Sequence, residues 1–201
     1  MKIICIEGNY YNKKKDSKYL QEPVFFLKPE SSLLRNHQPF FIPDHSKKII
    51  PNVNIVLKVC RLGKNIQEKF AHLYYNEIGV GVDMEATDML EICIKRGLPW
   101  EPAKAFDSSS PLGNFISKKE FKSLSAISFS ILKNKNCICK CNTSEMLYSF
   151  EKIIAYVSKF VTLKTGDCIF TGSPEINDKA ELNDNIECYI ENRKLLAFNV
   201  K

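Results

Sequence analysis

The run Asn52-Val53-Asn54-Ile55-Val56-Leu57-Lys58-Val59 constrains this chain more than any other segment. Its apolar positions Val53, Ile55, Val56, Leu57 and Val59 read as a strong central strand over 53–60. Within it, strand alternation places Asn52 and Asn54 on one face, at the spacing where two side chains reach a single ion or ligand. Two glutamates there would read as a metal site. Two neutral amides read as a metal site short of charge.

The remaining elements follow from period and punctuation. Residues 1–8 and 23–27 read as strands, the second closed by Lys28-Pro29. Pro39-Phe40-Phe41-Ile42-Pro43 is a short extended piece. Ile66, Phe70 and Leu73 have helical spacing, which predicts a helix over 66–75, and Ile78–Val82 returns to strand. Met89, Leu90, Cys93 and Ile94 predict a helix over 86–96 that Gly97 stops. Residues 126–132 read as a strand. A helix is expected within 143–160, capped by Thr143 or Ser144, with Leu147, Phe150, Ile153, Ile154 and Val157 as its buried stripe. Cys168–Thr171 and a strand pair over 186–200, turning at Asn192-Arg193, complete the chain. Strands outnumber helices without regular alternation, so the class is mixed α+β, dominated by sheet.

With 201 residues, 44% of them hydrophobic, the chain suits one globular domain over 1–201. No stretch approaches the ~20 apolar residues of a membrane span, so no membrane partner is expected. Met1-Lys2-Ile3-Ile4-Cys5-Ile6 reads as a first strand and not a signal peptide. Eight cysteines without a visible export signal point to a reducing, cytoplasmic compartment. Alternation would line up the sulfurs of Cys137, Cys139 and Cys141 on one strand face. No second Cys/His pair follows at zinc-ligand spacing, so buried thiols in a strand and turn are the preferred reading over a zinc or copper site. The net charge of +6 is scattered. Its densest run, Lys13-Lys14-Lys15, has no aromatic interleaving and no arginine fork, so it reads as a solvated loop and no nucleic-acid partner is expected.

Three segments together carry a resemblance. They are Gly81-Val82-Asp83-Met84-Glu85-Ala86-Thr87-Asp88, Leu98-Pro99-Trp100-Glu101-Pro102-Ala103-Lys104-Ala105-Phe106-Asp107-Ser108, and Asn142-Thr143-Ser144-Glu145-Met146 running on to Thr171-Gly172-Ser173-Pro174. Asn9-Tyr10, Phe26-Leu27-Lys28-Pro29 and Arg61-Leu62-Gly63-Lys64-Asn65-Ile66 add to them. In this order and spacing the chain resembles the fumarylacetoacetate hydrolase family, in its short acylpyruvate hydrolase and oxaloacetate decarboxylase branch, over nearly its whole length.

The resemblance implies a sheet-dominated, β-roll-like fold, usually a homodimer, that binds Mg2+ or Mn2+ and acts on small oxo-acids. Members cleave, decarboxylate or tautomerise next to a carbonyl, and the cation stabilises the enolate that forms. Asp83 stands at the family's metal aspartate, while Asn52 and Asn54 stand where its two metal glutamates are expected. Thr87 takes the place of a substrate-steadying arginine. In the segment 10–20, a candidate lid, Lys13 and Asp16 match a histidine and a glutamate that manage the attacking water. Lys104 is retained as a partner for an oxo-acid oxygen. Thr171 and Ser173 belong to the substrate loop, with Ser173 replacing a second threonine.

One carboxylate in place of three weakens the hold on a divalent cation. Each missing charge at ~4 Å forfeits roughly 4 kcal/mol at an effective dielectric of about 20. Weak or absent metal binding is therefore expected. Blander readings exist for the same residues. Asn52 and Asn54 would bond each other or water, and Asp83 would pair with Lys104. Glu85 and Asp88 would serve as replacement carboxylates only if the strand continues through Glu85. His45 is placed near the site entrance. The functional expectation is a divergent oxo-acid hydrolase or decarboxylase, and the alternative is a non-catalytic protein that keeps the fold.

Overall fold

The computed structural model describes residues 1–10, 22–35 and 38–201. Among these the strands are β1 (Ile3–Glu7), β2 (Val24–Lys28), β3 (Leu33–Leu34), β4 (Ile49–Val59), β5 (Tyr75–Ala86), β6 (Ser110–Ser117), β7 (Ser128–Lys133), β8 (Asn136–Asn142), β9 (Cys168–Phe170), β10 (Asn185–Ile190) and β11 (Arg193–Asn199). The α-helices are α1 (Thr87–Arg96), α2 (Glu101–Lys104) and α3 (Phe150–Phe160). The hydrogen-bonded strand order in the larger sheet is β2-β1-β9-β4-β5-β6-β3, and in the smaller β11-β10-β7-β8.

The two edges of the larger sheet, β2 and β3, are consecutive in the chain and joined only by Pro29 and a 3-10 turn at Glu30–Ser32. A flat sheet of seven strands would hold its edges about 29 Å apart. The short link from Lys28 to Leu33 spans at most about 18 Å. The sheet therefore curls until its edges approach, and one face becomes concave.

That curl explains why β4 is apolar on both sides. Val53, Ile55, Leu57 and Val59 belong to the main core, shared with α3 and the smaller sheet. Val56 joins a second, smaller cluster with Ile3, Cys5, Cys168 and Phe170 on the concave side. Gly81 lies under Phe170 there: a Cβ at Gly81 would sit 2.6 Å from the ring. Beyond this apolar half, the same concave face turns polar and carries the candidate site.

Several elements differ from expectation. Residues 66–75 hold a 3-10 helix, Glu68–Leu73, and not an α-helix. The late helix begins at Phe150, where Ser149 Oγ accepts the Lys152 amide at 3.2 Å, while Thr143–Glu145 is a separate 3-10 turn. Leu147 is accordingly left 39% exposed, outside the helix stripe. On β8 a register shift at Ile138 breaks the cysteine alternation. Only Cys139 and Cys141 meet, with sulfurs 3.2 Å apart, and Cys137 is exposed. Helix α1 ends as expected, with Gly97 left-handed at φ 63° and the Leu98 amide donating to Cys93 O at 2.9 Å. No helix among the described residues is long and apolar enough to cross a membrane.

Candidate active site

Antiparallel pairing of β4 and β5 places Asn52 opposite Asp83 and Asn54 opposite Gly81. Opposed residues share a sheet face. Strand β5 continues to Ala86, so Glu85 shares that face with Asp83. From β1, alternation brings Cys5 and Glu7 to the same concave face, and from β2 it brings Lys28, which is paired with Ile3. Helix α2, opened by Pro102 in its first turn, supplies Lys104.

The result is a largely buried charge cluster of three carboxylates and two ammonium groups, with the Glu7 side chain its exposed member. Lys28 Nζ lies 2.5 Å from Asp83 Oδ1 and also donates to Ser109 O and Ser109 Oγ. Lys104 Nζ donates to Glu7 at 2.9 Å and to Glu85, and stands 3.8 Å from Asp83. Burial alone would lower the Lys104 pKa, but Asp83, Glu7 and Glu85 outweigh it and hold the ammonium above its ordinary range. Burial pushes the Glu85 carboxyl up, against the opposing pull of Lys104. The thiol of Cys5 is also pushed up by burial and stays neutral.

Cys5, Glu7, Asp83, Glu85 and Lys104 line a cavity of about 380 Å³ together with Asn52, Asn54, Lys48, Thr87 and Ser173, while Lys28 lies behind Asp83 and outside the lining. Asn54 is bound at both ends of its amide: Oδ1 accepts the Gly172 amide at 2.7 Å and Nδ2 donates to Asn52 O at 3.0 Å. Its partner is thus the backbone of Asn52 and not the second side chain. Ser173 donates to Pro174 O at 3.0 Å. Thr171 is fully buried, donates to Ile55 O, and does not line the cavity. Asp88 is turned to the start of α1, accepting from Ser46, Lys47 and Met89. His45 contacts Phe106 and Pro102 O instead of the cavity. Lys13 and Asp16, with the segment 11–20, lie outside the described residues.

The residues Asp83, Asn52 and Asn54 do not fit a divalent cation as a donor set. They offer one carboxylate, which already faces two ammonium groups, and an amide oxygen committed to a backbone donor. Among the described residues no group of three or more His, Cys, Asp or Glu is arranged to hold a metal.

The family model described as Fumarylacetoacetate (FAA) hydrolase C-terminal matches residues 2–200. This chain belongs to the fumarylacetoacetate hydrolase family. It is 34% identical over 201 residues to the oxaloacetate tautomerase FAHD1, mitochondrial, of Mus musculus, covering 99% of this chain and 91% of that protein. Its fold is similar to that of a fumarylacetoacetate hydrolase family protein from Yersinia pestis CO92, with a TM-score of 0.93 and 28% identity over 100% of this chain and 93% of that one. A fumarylpyruvate hydrolase from Pseudomonas aeruginosa, solved with Mn2+ and pyruvate, shares the fold at a TM-score of 0.91 and 22% identity, covering 100% of this chain and 88% of that one. The sheet-dominated α+β fold is the one this family implies.

Lys28, Glu7 and Lys48 were not singled out by the sequence as site residues. Lys28 was visible only inside the Phe26-Leu27-Lys28-Pro29 motif. Glu7 and Lys48 carry no local signal, since the curl of the sheet and the Thr87 contact bring them to the cavity.

Proposed function

We propose that this chain is an oxo-acid enzyme of the fumarylacetoacetate hydrolase type whose core step is proton transfer beside a carbonyl. The observation that carries the reading is the Lys104–Glu85–Glu7 arrangement on the cavity wall. Relatives named oxaloacetate tautomerase support it. Tautomerisation breaks one C–H bond and forms one O–H bond, so it needs a group that both takes and returns a proton. Glu85 suits that role because burial raises its pKa above the ordinary carboxylate value while Lys104 keeps it in place. Ser173 and Thr87 belong to the cavity wall, with Ser173 presenting a hydroxyl to the ligand. Decarboxylation or hydrolysis of a C–C bond passes through the same enolate, and Lys13 and Asp16 are proposed for the water-dependent branch of that chemistry. No step is drawn through Mg2+ or Mn2+, because Asp83, Asn52 and Asn54 do not form a donor set for either. Assembly as a homodimer is part of the proposal, and light scattering tests it.

The deciding experiment follows exchange of the C3 protons of 2-oxohexanoate and of oxaloacetate with solvent deuterium by NMR. The native chain is expected to accelerate exchange, and Glu85→Gln to abolish that acceleration. Equal rates for the two proteins would remove Glu85 from the mechanism. A second reading, a non-catalytic protein that keeps the fold, is favoured by the Asn54 amide, which is tied to backbone at both ends. No acceleration by the native chain would select it.

A further inference from the structure

Among the described residues two lysines line the cavity, and their states differ sharply. Lys104 is 2% exposed, donates to Glu7 and Glu85 and stands 3.8 Å from Asp83, so three carboxylates already compete with a ligand anion for it. Lys48 is exposed, lines the same cavity, and has no ion pair or side-chain hydrogen bond among the described residues. Its backbone is nonetheless fixed. The Lys48 carbonyl accepts both the Thr87 amide at 3.0 Å and the Thr87 hydroxyl at 3.2 Å, and its amide donates to Ser46 Oγ at 3.2 Å. An unpaired ammonium beside a cavity is available to meet an anion, and the held backbone fixes where its stem starts.

The wall that runs on from this point is apolar. Leu90 and Ile94, one helical turn apart on α1, line it with Ile50 and Ile176. Among the described residues, the charged side chain that α1 adds to this wall, Glu91, is a carboxylate. A ligand with one carboxylate finds Lys48, whereas a second carboxylate finds apolar side chains and like charge.

Building on the oxo-acid reading of this cavity, we propose that Lys48 is the anchor for the ligand carboxylate. The cavity accordingly selects a monoanionic 2-oxo acid with an apolar tail over a dicarboxylate. Lys48 is a binding residue in this scheme, and Leu90 and Ile94 set the tail preference.

Calorimetric titration of 2-oxohexanoate and of oxaloacetate into the full chain tests this, together with Lys48→Met and Lys48→Arg. Lys48→Met keeps the aliphatic stem and removes only the charge. The native chain is expected to bind 2-oxohexanoate at least about tenfold more tightly than oxaloacetate, and Lys48→Met to weaken it roughly 10- to 100-fold, the range of one charge-assisted hydrogen bond. Lys48→Arg should retain binding to within about threefold, since the charge persists. Tighter binding of oxaloacetate, or no effect of Lys48→Met, would overturn the inference and leave the oxo-acid reading in place. Binding of neither acid would overturn both.

Discussion

Asp83 stands opposite Asn52 in the β4–β5 ladder, yet its carboxylate is held by Lys28, 2.5 Å away on a strand at the far edge of the sheet. The side chain of Lys28 is wholly buried. A buried pair of this kind contributes little beyond an apolar substitute, but removing one partner strands the other charge.

Lys28→Met is therefore expected to destabilise the chain by about 3 kcal/mol or more. Adding Asp83→Leu to it should recover a large part of that loss, because no charge is then left unpaired. A double-mutant cycle in urea checks this, and additive losses would show that the pair is not the source.

Glu85 gives stability an unusual slope with pH. Its folded pKa lies above its unfolded value of 4.5, so its contribution is full below that value and is lost as pH rises through the folded pKa. Glu85→Gln removes the titration. The stability difference between Glu85→Gln and the native chain should shift in the variant's favour as pH rises above about 4.5. Melting temperatures of both proteins across the acid-to-neutral range read it, and parallel curves would contradict it.

Asp88 has the opposite sign. Although burial opposes it, hydrogen bonds from Ser46, Lys47 and Met89 lower its pKa below 3.8. Its contribution is present above that value and is lost as pH falls through the folded pKa. Asp88→Ala should cost about 1 kcal/mol at neutral pH, as loss of a helix-start acceptor does, and less in acid. Urea unfolding at two pH values measures both.

Metal affinity should follow charge at two positions. The native chain is expected to show no Mn2+ binding heat below millimolar concentration, and Asn52→Glu with Asn54→Glu to create measurable binding. Each added carboxylate at ~4 Å is worth roughly 4 kcal/mol at an effective dielectric of about 20 before desolvation. Absence of binding in a folded double variant would place the obstacle at Lys28 and Lys104, which hold Asp83 in the native chain.

Much of this architecture was legible because period and punctuation act locally. The apolar run of β4 and the Gly97 stop of α1 follow from adjacent residues, as does the late hairpin, although it turns at Glu191-Asn192, one residue before the expected Asn192-Arg193. The face shared by Asn52, Asp83 and Glu85 also follows, once β5 is seen to stay extended through Glu85. What escaped depends on distant closure. Strand β6, with Gly113 packed against the Leu195 carbonyl, has no clean alternation to mark it. The 66–75 segment kept helical spacing but folded as a tighter 3-10 turn ending against Tyr74. Lys28 and Glu7 reach Asp83 and Lys104 only because the sheet curls, and no local pattern encodes that.

Strand β1 pairs with β2 on one side, but its other side is closed by β9, and the Lys2 amide meets Asp167 across 165 residues. During synthesis that edge stays open until Cys168–Phe170, near the end of the 201 residues, has emerged. Ladders between such remote segments form slowly, and an unpaired apolar edge invites association with other chains in the interval. The wall that carries Cys5 and Glu7 is thus closed only by a segment remote in sequence, and refolding is expected to be limited by that closure.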